Sequence, residues 1–263
     1  MMHQDLSSWW KFCRVWASIH LEFRNPYIYC GKYAHSGITV VSVAVSEVEI
    51  DASNLSLREV NAKIREAVGR GLRVHLKNAS HIYGLAAGLK SGDIVIDGDA
   101  GDYLAMLNGG AKITVNGNAG DYVADGAWSG EVIVKGCVGY GASMYAYGGV
   151  LVVYGDAGDA VGQILKGATV IVNGCAGDSI GLYMVGGDII IVGDAGKLVG
   201  DWMIRGCIYV GGKYESLGNN AKEAELTGDD VKKLSNLFSK YNVKADPSKF
   251  KKIVPLSLRP FYG

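Results

Sequence analysis

The chain has 263 residues, 49% of them hydrophobic and 20% charged, with 26 basic against 26 acidic side chains, 38 Gly and 4 Pro. Half-apolar composition at zero formal net charge excludes intrinsic disorder. The missing basic excess removes the electrostatic case for nucleic acid, and no run approaches the roughly 18 consecutive apolar residues of a membrane span.

In chain order, residues 1–44 read as an N-terminal arm with no clear period. The aromatic run Trp9-Trp10-Lys11-Phe12-Cys13-Arg14-Val15-Trp16 is broken by charges and precedes no cleavage site, so no signal peptide is expected. Residues 45–84 form an α/β lead-in and cap. Here Ser56-Leu57-Arg58-Glu59 is a capping box, Leu57, Val60, Ile64, Ala67 and Val68 follow at helical spacing, and Gly69 and Gly71 stop the helix.

Residues 85–218 carry an internal repeat. The pattern Gly-x-small-Gly begins at Gly98, Gly117, Gly136, Gly155, Gly174 and Gly193, six copies at a spacing of 19 residues, and 32 of the 38 Gly fall between Gly84 and Gly218. Two apolar columns share that period: Ile94, Ile113, Val132, Leu151, Val170, Ile189, Ile208, and two residues on, Ile96, Val115, Val134, Val153, Val172, Ile191, Val210. Period-2 spacing places both on one face of a short β-branched strand. A third column (Leu104, Val123, Ala142, Val161, Ile180, Val199) sends apolar residues inward from another side. Nineteen residues are too few for a helical hairpin or a propeller blade, but they fit one coil of a parallel β-helix. The expected fold is mainly β: a single-stranded, parallel, right-handed β-helix of about seven coils with flanking α-helices. Gly recurs because corners need φ > 0 or close backbone approach. Val74 and Leu76 join the columns only after a one-residue shift, so the first coil is irregular.

Residues 219–263 supply a C-terminal helix and tail. Thr227-Gly228-Asp229-Asp230 opens a helix with Val231, Leu234, Leu237, Phe238 and Tyr241 on one face, and an extended arm follows.

No catalytic, cofactor-binding or metal residue emerges. Asp102, Asp121, Asp159 and Asp178 share a column, as do Asp99, Asn118, Asp156 and Asp194, but motif and period differ from calcium-binding solenoids and Cys137, Tyr140, Cys175 and Lys197 interrupt them. The simpler reading is that Asp and Asn beside Gly close turns through side-chain to backbone hydrogen bonds. The five Cys, at 13, 30, 137, 175 and 207, form no Cys-x-x-Cys pair, so neither a disulfide framework nor a zinc site is written and a cytoplasmic chain is expected. Cys137 and Cys175 lie two coils apart, about 9.6 Å, beyond disulfide reach. His3, His20, His35, His75 and His81 form no pair at metal-ligand spacing.

The position between the two strand columns is the informative oddity. Val95, Thr114, Ile133, Val152, Ile171, Ile190 and Tyr209 should point outward, yet nearly all are apolar, so the chain's own helices or a partner subunit should cover them. Val95, Ile133, Val152, Ile171, Ile190 and Tyr209 are therefore the candidate partner interface.

The Gly-Asp-Ala-Gly-Asp copies, the lead-in Ile50-Asp51-Ala52 with Arg58-Glu59-Val60-Asn61-Ala62-Lys63-Ile64-Arg65-Glu66-Ala67, and the tail segments Gly206-Cys207-Ile208-Tyr209-Val210-Gly211-Gly212 and Phe250-Lys251-Lys252-Ile253-Val254 carry a resemblance. Over about residues 45–254 the chain resembles the G-x-G-x-G β-helix domain at the C-terminal end of the glutamate synthase large subunit, in its stand-alone form. The resemblance implies partner polypeptides: a class II glutamine amidotransferase subunit and a glutamate synthase-like subunit holding FMN and an iron–sulfur cluster, the β-helix itself holding no cofactor. It implies a supporting role in glutamate or methylglutamate synthesis, in keeping with the absence of an N-terminal nucleophilic Cys in a sequence beginning Met1-Met2-His3. Two alternatives stand beside it: the related β-helix subunit of formylmethanofuran dehydrogenase, and an independent β-helix acting on polysaccharide.

Overall fold

A computed structural model describes residues 46–258. The N-terminal arm, with Cys13, Cys30, His3, His20 and His35, lies outside the described residues, as do residues 259–263.

Each coil contributes one short strand to a single sheet. The strands are β1 (Glu47–Asp51), β2 (Arg73–Lys77), β3 (Asp93–Asp97), β4 (Gly109–Val115), β5 (Ser129–Val134), β6 (Val150–Val153), β7 (Thr169–Val172), β8 (Asp188–Ile191) and β9 (Cys207–Val210). They pair in sequence order and in parallel, as a solenoid requires. From β3 to β9 the register repeats at 19 residues, Ile113 beside Val132 and Val170 beside Ile189, whereas Val74 pairs with Ile94, the one-residue shift that the sequence calls for. The two strand columns and the Leu104 column are buried throughout and fill one continuous core. The expected mainly β parallel solenoid of about seven coils with flanking helices is the observed fold.

Both ends are closed by the flanks. Helix α1 (Leu57–Gly69) starts at the Ser56–Glu59 capping box and packs Val60, Ile64 and Ala67 into the core beside Ile50 and Val74. At the other end the tail forms β11 (Lys251–Pro255), antiparallel to β9, and β10 (Ala221–Ala224) pairs with β11 at the edge. The sequence reads an extended arm here; its strand pairing caps the backbone groups β9 would otherwise expose. The exposed Lys222 and Glu223 on the final edge discourage further strand addition.

Outside the strands the backbone stays hydrogen-bonded by an alternation of handedness. Tyr103, Ala105 and Leu107 all have left-handed φ, +57°, +58° and +57°, and the pattern recurs in later coils. Their N–H groups point along the solenoid axis: Tyr103 N–H donates to Asp121 O and Leu107 N–H to Asp125 O in the next coil, while Ala105 N–H donates back to Leu85 O. Every coil is thus tied to both neighbours without needing a strand.

Candidate interaction surface

The solenoid presents three kinds of outer surface, and each follows from a repeated residue. The first is the Asp ladder. Asp102 Oδ1 accepts from Asp121 N at 2.9 Å, Asp121 Oδ1 from Tyr140 N at 2.8 Å, and Asp159 and Asp178 repeat the bond one coil on. In the sister column Asp99, Asn118, Asp156 and Asp194 do the same, and Cys137 and Cys175 substitute a sulfur acceptor, at 3.3 and 3.4 Å. These side chains close no local turn; they bond the backbone one coil away. The paired glycines make room for them: a Cβ on Gly120 would stand on the Asp102 carboxylate, and one on Gly155 would lie 2.6 Å from Cys137 Sγ. Close approach is the reason for Gly117, Gly120, Gly136, Gly139, Gly155 and Gly158, none of which has a left-handed φ, whereas Gly126, Gly141, Gly162 and Gly181 do take one, alongside Tyr, Ala and Leu positions.

The second surface is the outer face of the sheet. Over its C-terminal half lies α2 (Gly228–Tyr241), whose Leu234, Phe238 and Tyr241, with Val243 and Phe250, bury Val152, Ile171, Ile190 and Tyr209. Of the two possible covers, the chain's own helix occupies these four positions, which are therefore not free surface. Ile133 is half-buried against the same cluster, whereas Val95 is buried outside it, on a strand edged by the Arg73–Asp93 ion pair and by His75 facing Asp97. Polar bonds fix the helix. Tyr209 Oη donates to Asp230 Oδ1 at 2.7 Å, Lys252 Nζ bonds Asp230 Oδ2 at 2.7 Å, and Lys240 Nζ and Tyr241 Oη reach Glu131 at 2.6 and 2.7 Å. Burial pushes Asp230 upward, but the bonds from Lys252, Thr227 and Tyr209 outweigh it and hold the carboxyl below its ordinary value. Burial drives the Tyr209 phenol well above its usual range, and the Asp230 bond adds to it.

The third surface, which sequence reasoning missed, is the turn face carrying the left-handed residues. Tyr103 and Tyr122 stack at 4.8 Å, Tyr140 meets Tyr122 edge-on at 5.6 Å, and Trp128 stacks on Tyr147 at 4.2 Å with planes 3° apart. Lys166 continues that column, its ammonium 3.9 Å from the Tyr147 ring centre. Tyr103, Leu107, Trp128, Tyr140, Tyr145 and Tyr147 are all exposed. The signal was in the sequence as 19-residue pairs, Tyr103 with Tyr122 and Trp128 with Tyr147.

Among the described residues no group of three or more His, Cys, Asp or Glu side chains gathers in metal-binding geometry, and no helix is long and apolar enough to cross a membrane. Fold and surfaces together define a capped parallel β-solenoid whose acidic repeats hold coil to coil. The chain belongs to the GXGXG motif family, the glutamate synthase GXGXG domain, whose model matches residues 58–245. A comparison with curated proteins finds no match.

Proposed function

We propose that this chain is the non-catalytic β-solenoid subunit of a glutamate-synthase-like complex. In this reading a class II glutamine amidotransferase subunit releases the amide nitrogen. An FMN and iron–sulfur synthase subunit then uses it in making glutamate or methylglutamate, while this chain holds the two together. The observation that carries the reading is the family match over residues 58–245, a span that runs from α1 through the coils to the end of α2. Residue chemistry supports it: the repeated Asp side chains, Asn118 and the sulfurs of Cys137 and Cys175 are committed to backbone bonds between coils.

Affinity purification of the chain at native abundance, with mass spectrometry and an absorbance scan of the eluate, tests the proposal. We expect an amidotransferase and a yellow-brown flavoprotein to co-purify. Molybdenum or tungsten enzyme subunits in their place would assign the chain to a formylmethanofuran dehydrogenase, and a colourless protein without partners would contradict both.

A further inference from the structure

Among the described residues nothing covers the turn face, and it differs from the rest of the molecule in three ways. Tyr, Trp, Leu and Met cluster on it, the residue types that enrich interface centres and adapt to a partner's shape. From Tyr83 to Tyr183 it runs about five coil spacings, roughly 24 Å at about 4.8 Å each, with large apolar side chains exposed along it. In its middle stands Asp125, in the column Met106, Asp125, Met144, Gln163. The Asp125 Oδ1 atom is buried without a hydrogen-bond partner, burial pushes the carboxyl upward with only the Gly126 N–H opposing it, and Asp125 enters no ion pair among the described residues. A half-buried carboxyl flanked by two Met and lacking a counter-ion is a defect for the isolated chain, and its accessible side is a recognition element for a partner that brings a cation. Two pairs of rings on this face are stacked, Tyr103 on Tyr122 and Trp128 on Tyr147, so those ring faces are spent on one another, which suits a protein surface better than a sugar ring lying flat.

We propose that this face, formed by Tyr103, Leu107, Asp125, Tyr140 and Tyr145, docks a partner polypeptide that places a Lys or Arg against Asp125 within an apolar surround. The proposal rests on the complex reading above and names the surface through which the complex forms.

The test uses the full chain, the separately produced amidotransferase and flavin subunits of the same genome, and two variants. Leu107→Asn with Tyr145→Asn keeps the backbone, because Asn tolerates the left-handed φ of both positions, +57° and +56°. Asp125→Met matches the neighbouring Met106 and Met144. We expect the double variant to bind one subunit at least tenfold more weakly. Asp125→Met should weaken the same binding while raising the thermal midpoint of the isolated chain, a pairing that a merely structural residue would not give. Unchanged affinity of both variants for a subunit that the unmodified chain binds would overturn the face and leave the complex reading intact. Failure of the unmodified chain to bind either subunit would overturn both. Variant-sensitive retention on an insoluble polysaccharide, with no subunit bound, would assign the face to glycan and overturn it as a protein surface.

Discussion

At the scale of single residues, the repeat is a hydrogen-bonding device before it is a packing device. Asp121 accepts from the Tyr140 amide, and its own amide donates to Asp102, so each carboxylate is a link in a chain along the solenoid. We expect Asp121→Ala to cost about 1–2 kcal/mol for the lost bond, while Asp121→Asn stays within about 0.5 kcal/mol because an amide oxygen can accept the same bond, as Asn118 already does from Cys137 N. Urea unfolding of the three proteins checks this; equal losses for Ala and Asn would show that the charge, rather than the acceptor, matters. The Asp columns were visible in the sequence, but their target was not, because the partner amide lies 19 residues away and the local turn reading is equally consistent with Asp beside Gly. The glycines were likewise legible as a requirement and ambiguous in reason. Only the structure shows that Gly120 makes space for Asp102 while Gly126 and Gly141 take left-handed φ, and that the same geometry falls also on Tyr103, Leu107 and Tyr145, residues whose types give no hint of it.

At the scale of elements, α2 turns an exposed apolar ridge into a second small core. Its attachment depends on ionised carboxylates. Asp230 and Glu131 both have folded-state values held below their ordinary 3.8 and 4.5, Asp230 by bonds that outweigh burial and Glu131 chiefly by Lys240 and Tyr241. A depressed carboxyl stabilises the fold fully above its unfolded value, and that contribution drains as pH falls through the folded value. The cover should therefore be firm at neutral pH and loosen below about pH 4. Hydrogen exchange of the α2 amides between pH 7 and pH 3, compared after normalising for intrinsic exchange, measures this. Protection should fall in acid, and Asp230→Asn should flatten the dependence; protection independent of pH would contradict the role of the pair. Both halves of this contact were readable, the ridge from its column and the helix face from Leu234 and Phe238, whereas their match was not. It depends on a chain reversal after β9 and on β11 and the edge strand β10, whose short, charged segments carry no alternating pattern.

At the scale of the whole molecule, the coils and their register follow from a period that the sequence states openly, whereas the strand cap at the C-terminal end does not. Every side chain column is a contact between neighbours one coil apart, so sequence spacing and spatial spacing coincide. The aromatic turn face escaped notice because its residues alternate with Gly126, Gly141 and Ala160 and form no unbroken column. The solenoid carries different chemistry on each side, a property that suits the scaffold role proposed above. The most direct measurement is glutamine-dependent synthase activity of the amidotransferase and flavin subunits reconstituted with and without this chain. The account predicts coupled turnover only when all three are present, with no turnover by this chain alone. Full coupled activity of the two partners without it, or turnover by the solitary chain, would contradict the scaffold role.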